Sequence, residues 1–110
     1  MFNNHLGESM LQGIKNLYSI EIMEHAPEDK KQYFLELVES IPMNMFDGVK
    51  NQVLAIEKGK KLSSFLANLK IEMQEAGMDL TELNKKQEEQ NIQFAQSMNV
   101  PKFAIKKFMR

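Results

Sequence analysis

An all-α fold is predicted for this chain by three observations. Nine Met, together with abundant Leu, Lys, Glu and Gln and a near absence of Thr and Trp, favour helix over sheet. Apolar residues recur at spacings of three and four along most of the length. No apolar/polar alternation bounded by hairpin signals occurs with a second strand to pair it. At 110 residues the chain amounts to one domain, and its 43% apolar and 26% charged composition is that of a folded protein rather than a wholly disordered one. The expected architecture is a small bundle of four to five helices with a C-terminal helical arm. A helical core domain would span residues 1–78. Residues 79–110 would form a polar linker or helix and a basic amphipathic arm.

The first helix is expected from Ser9 to about His25, with Met10, Ile14, Leu17, Tyr18 and Ile22 inward and Ile20 and Met23 widening the buried face. The stretch 18–22 also alternates, but helix is preferred because no partner strand exists. Pro27 suits the first position of a second helix, where a missing N–H costs nothing, and Glu28 and Asp29 complement its positive end. Phe34, Leu37, Val38 and Ile41 face inward with Tyr33 at the edge, and Pro42 ends the run.

Asn44 can cap a third helix carrying Phe46, Val49, Val53 and Ile56, with Gly48 weakening the pattern. A further stripe follows: Leu62, Phe65, Leu66, Leu69, Met73 and Ala76. Residues 44–76 are thus two helices, or one long helix with a soft point at Gly59. Gly77 is a natural stop. Asp79 with Glu82 three residues on reads as a capping box opening another helix, whose early apolar residues are Leu80 and Leu83. Residues 84–91 carry no apolar side chain and form either a solvated helix or a linker. Ile92, Phe94, Ala95 and Met98 resume an apolar face before Pro101.

Charge and composition exclude several function classes. With 14 basic and 15 acidic residues the net charge is −1, so no global field steers the chain to nucleic acid or an anionic membrane. There is no cysteine, hence no disulfide framework, thiolate metal site or cysteine nucleophile. Residues 1–8 lack the basic stretch and apolar run of a signal peptide, and no apolar run approaches the roughly 18 residues of a membrane span. A cytoplasmic location is expected.

The search for chemistry returns little. Only His5 and His25 are histidines. His25 has Glu21, Glu24, Glu28 and Asp29 near it in sequence, and Glu21 and Glu28 stand at helical ligand spacing. One imidazole among scattered carboxylates beside a helix junction reads as a solvated charged corner rather than a metal site. Gly59-Lys60-Lys61 lacks the earlier glycine, the following hydroxyl residue and the preceding strand of a phosphate-binding loop. No local signature of a nucleophile with its base appears. The expectation is a non-enzyme with no cofactor, no metal and no small-molecule substrate.

Two features point instead to docking. Methionine is flexible and polarizable, which suits core filling and equally suits a groove that adapts to a partner's helix. Met43 and Met45, flanking a turn, are the candidates for the second role. The segment after Pro101 carries four basic residues, no acidic one, and Phe103, Ile105 and Phe108. It either packs back on the body or engages a partner groove, a membrane surface or phosphate. The candidate partner-binding residues are therefore Met43, Met45, Phe94, Met98, Phe103, Lys106, Lys107, Phe108 and Arg110. A protein partner or a second copy is expected, with a homodimer preferred. Nucleic acid is a weaker alternative.

Residues 65–83 resemble one segment of the histone-like nucleoid-structuring (H-NS) family, in which a long oligomerisation helix closes with a glycine, an apolar residue, a short cap and a Glu-Leu pair before a polar linker. Met73, Gly77, Met78, Glu82 and Leu83 occupy those positions, and residues 84–91 resemble the linker. The likeness covers about a fifth of the chain. The family's DNA-binding part requires a tryptophan-containing segment and a glycine-flanked arginine; here there is no Trp and Arg110 is the only arginine. The resemblance thus implies the oligomerising half alone, as a modulator that joins or blocks nucleoid filaments.

Overall fold

A computed structural model describes the backbone of residues 4–97 and the side chains of residues 7–93. It contains four helices: α1 (Asn4–His25), α2 (Glu28–Glu39), α3 (Gln52–Glu75) and α4 (Thr81–Ser97), with no strand among the described residues. The fold is all-α, as the composition and spacing predict.

Helix α1 begins at Asn4, five residues before the expected start at Ser9. Leu11, Ile14, Leu17, Tyr18 and Ile22 are buried, on spacings that return to one face of a 3.6-residue helix. Ile20 and Met23 do not join them; they are 51% and 56% exposed. At about 100° per residue they lie about 180° and 120° round the helix from Leu11, so the extra width read from the sequence faces outward. Helix α1 runs between α2 and α4, and α2 in turn approaches α3.

Pro27 stands at the N-cap of α2, one residue earlier than expected, with φ −56° and ψ 144°. Its carbonyl accepts from the N–H groups of Lys30 and Lys31. Phe34, Val38 and Ile41 are buried. The last turn of α2 has no basic residue of its own. Lys15 of α1, itself buried, supplies one: its Nζ donates to the Glu39 carbonyl at 3.3 Å, where a cation complements the helix dipole.

The helix expected from Asn44 does not form. Residues 43–48 are turns, and Gly48 takes φ 73°, a left-handed conformation that interrupts a right-handed run. Phe46 and Val49 are buried from this loop. Helix α3 starts later, with Asn51 as its cap: the Asn51 Oδ1 accepts from the Leu54 N–H at 2.8 Å. From Gln52 it continues unbroken through Gly59, so the choice between two helices and one resolves to a single helix. Leu62, Leu66, Leu69 and Met73 form its buried row. Gly77 ends it at φ 92°. The Met78 N–H reaches the Met73 carbonyl at 3.1 Å and the Gly77 N–H reaches Gln74 at 2.9 Å, a Schellman closure with Met78 buried over it.

The capping box read at Asp79 and Glu82 is replaced by a local turn. The Asp79 Oδ1 accepts from both the N–H and the Oγ1 of Thr81, at 3.0 and 2.7 Å. The first helical bond, Asn84 N–H to the Leu80 carbonyl, lies one residue further on. Leu80 and Leu83 are buried in the same core cluster as α1, α2 and α3. The core cluster thus includes residues beyond 78, and of the two readings of residues 84–91, solvated helix or linker, the structure shows helix.

Candidate interaction surfaces

Between Leu83 and Ile92 helix α4 has nothing apolar to bury, and over this stretch it holds to α1 through polar side chains. The Tyr18 hydroxyl donates to Gln87 Oε1 at 2.7 Å, Lys86 Nζ donates to Glu21 Oε1 at 3.2 Å, and Gln90 Nε2 donates to the Gly13 carbonyl at 3.0 Å. These three partners stand on α4 at 86, 87 and 90, one helical face. Burial pushes the Tyr18 hydroxyl well above the ordinary tyrosine range, against a smaller opposing effect of its bond to Gln87. Above these contacts lies an open groove of about 370 Å³ lined by Gly13, Asn16, Ile20, Lys86, Glu89 and Gln93 among others.

Glu21 is 2% exposed and is held from two sides: Lys86 at one oxygen and His25 Nε2 at 3.4 Å from the other. Glu24 completes a group with His25, Nε2 to Oε2 at 3.7 Å. Ligand atoms of Glu21, Glu24 and His25 all fall within 4.8 Å of one another. A divalent cation there would meet the Lys86 ammonium already seated on Glu21, and the group offers a single imidazole. Glu28, which the sequence placed at ligand spacing, is turned to Lys31 at 2.7 Å. Lys86 forms an ion pair with Glu21, and His25 approaches both Glu21 and Glu24.

Of the sequence-derived docking residues, Met43 and Met45 are described, and both are half-buried against the core. Met45 lines a notch of about 200 Å³ with Ile41, Pro42, Leu62 and Phe65, between the end of α2 and α3. Its walls are apolar except for Ser40 and Lys61 at the rim. Phe94 lies in α4. Met98, Phe103, Lys106, Lys107, Phe108 and Arg110 lie outside the described residues.

The surface that sequence reading missed is the outer side of α3. Val53, Ile56 and Ile71 are 69%, 38% and 52% exposed. Ala67, Lys60, Ser63 and Ser64 lie exposed between them. Val53 and Ile71 are five helical turns apart and share one azimuth, with Ile56, Lys60 and Ala67 within about 60° of it; the core row Leu62, Leu66, Leu69 and Met73 is centred on the opposite side. Isolated exposed apolar residues are ordinary, but an aligned row is less so. Its spacing was present in the sequence. It is obscured there because Val53 and Ile56 continue the period of Phe46 and Val49 and read as one stripe with them.

No family model, curated protein or solved structure matches the chain.

Proposed function

We propose that this chain is a non-enzymatic helical interaction module, working in the cytoplasm as an adaptor, chaperone or regulator and associating with itself. The observation that carries the reading is that Val53, Ile56 and Ile71 stand exposed on the side of α3 away from its buried row, where no other element of the described chain covers them. Covering these aligned side chains with a partner would remove apolar surface from water, which favours association. The Met45 notch adds a small apolar recess with an adaptable rim, suited to a partner's side chain. No helix among the described residues is long and apolar enough to cross a membrane. Size-exclusion chromatography with light scattering, followed by affinity capture of the full chain from native lysate, tests the reading. A higher-order species or a specific captured protein is expected. A strict monomer that captures nothing would remove it.

A second reading follows from the likeness of residues 65–83 to the oligomerisation segment of the histone-like nucleoid-structuring family: a modulator of nucleoid filaments that acts through protein contacts. Its test is the effect of the full chain on filament formation by a resident nucleoid protein, with DNA titrations at two salt concentrations. Phosphate contacts would weaken steeply with salt. No effect on filaments together with no salt-dependent binding would dismiss it.

A further inference from the structure

We propose that the notch beside Met45 receives an apolar side chain from an acidic partner helix, one that carries a Leu, Met or Phe within a turn of Asp or Glu. The proposal rests on the interaction-module reading above and gives one of its surfaces a partner chemistry.

The recess fixes the size of the anchor. Ile41 and Leu62, both buried, form its base, and Pro42, Met45 and the half-buried Phe65 its walls. Its volume is about 200 Å³. A cavity of roughly 150 Å³ already accommodates benzene, so the notch takes one large apolar side chain and no more. The Met45 backbone is held in a turn, its N–H reaching the Pro42 carbonyl at 3.1 Å, while its unbranched side chain can adjust to what enters.

The charge beside the recess fixes what flanks the anchor. Leu54, Lys58, Lys61 and Phe65 fall within about 60° of one another round α3 and span about 16 Å along it. Glu72 stands on the same strip, and its bond to the Tyr33 hydroxyl at 2.7 Å marks this as the side of α3 turned to α2. Glu72 is the only carboxylate on the strip; Glu57 and Glu75 lie outside it. Elsewhere lysines find partners within the fold: Lys15 the Glu39 carbonyl, Lys31 Glu28, and Lys86 Glu21. Lys58 and Lys61 have neither an ion pair nor a hydrogen bond among the described residues, from Asp47 or any other. Ser40, at the rim, already donates its hydroxyl proton to the Leu37 carbonyl. The apolar recess is thus flanked by two cations that the fold leaves unmatched, a pattern that carboxylates complete and a basic segment is repelled by. A strip three helical turns long, with one anchor site, suits a helix laid along it; a small carboxylate would reach only part of it.

The test uses the full chain and a capped, Ala-based helical peptide of about 16 residues, with one Leu and a Glu four residues to either side. One buried anchor and two exposed ion pairs support a Kd of about 0.1–1 mM, read by fluorescence anisotropy of the labelled peptide. Replacing the Leu by Ala should weaken binding about tenfold, and replacing both Glu by Lys should do the same. Lys61→Glu, an exposed change that should leave circular dichroism unaltered, is expected to reverse the preference toward the Lys peptide. Met45→Trp, which fills the recess, should weaken binding of the acidic peptide. Equal binding of acidic and basic peptides, or no reversal in Lys61→Glu, would overturn the proposal. So would 4-phenylbutyrate binding as tightly as the peptide, which would make the notch a site for a free carboxylate. Lys61-dependent sedimentation with phosphatidylglycerol vesicles would reassign it to an anionic membrane, and self-association lost in Lys61→Glu would reassign it to a second copy. Self-association that persists in Lys61→Glu while no peptide binds would overturn the notch and leave the interaction-module reading intact.

Discussion

Tyr18 is the residue on which the seating of α4 turns. It is fully buried, and its hydroxyl has Gln87 as partner across the α1–α4 contact. Tyr18→Phe is expected to destabilise the fold by about 1 kcal/mol, the usual net worth of such a bond with one partner left unpaired, measured by urea denaturation. The same residue sets an alkaline limit. Its folded-state pKa is raised by burial above the ordinary value of 10.0, so its contribution is fully present below about pH 10 and is lost as pH rises beyond that, because the unfolded chain releases the proton first. Stability compared at about pH 9 and pH 11 should fall in the wild type and fall less in Tyr18→Phe. Equal losses would place the alkaline sensitivity elsewhere.

At the scale of elements, α3 is where sequence pattern and structure part. Asn44 and Asn51 are both plausible caps, but only Asn51 receives a backbone N–H, that of Leu54. Asn51→Ala should cost about 1 kcal/mol in chemical denaturation, whereas Asn44→Ala, in an exposed turn, should stay within about 0.5 kcal/mol. Gly59 lies mid-helix, and a Cβ added there meets nothing within 4 Å. Gly59→Ala is therefore expected to stabilise by up to about 1 kcal/mol through helix propensity and reduced freedom of the unfolded chain. A destabilisation would contradict the open space seen beside Gly59. Gly77 is the opposite case, since its positive φ is what permits the Schellman closure.

For the whole molecule the question is whether α4 belongs to one cooperative unit with the other helices. Leu83 is completely buried within the cluster that also holds Leu11, Phe34 and Leu69. Leu83→Ala is expected to cost about 2–5 kcal/mol and to shift a single unfolding transition seen alike by far-ultraviolet dichroism and by tyrosine fluorescence. Two separated transitions, with α1 to α3 unaffected, would instead restore the picture of a compact body ending near residue 78 with an independent segment beyond it.

Local chemistry was enough to predict an all-α chain. It also placed α2 between Pro27 and Pro42, the glycine stop at residue 77, and the inward rows Ile14–Leu17–Tyr18–Ile22 and Leu62–Leu66–Leu69–Met73, because periodicity, proline and a left-handed glycine act within a few residues of themselves. Phe46, Val49, Val53 and Ile56 share a helical spacing that cannot say whether the backbone between them is helical; the chain turns over residues 43–48, with Gly48 left-handed, and α3 starts only at Gln52, so the first two are buried from a loop and the last two face outward. Nor does the polar run 84–91 reveal its own fate, since it is held by Tyr18, Glu21 and the Gly13 carbonyl, more than sixty residues away. Which side of an amphipathic helix finds a neighbour is fixed by packing between distant segments, and only the tertiary structure contains that.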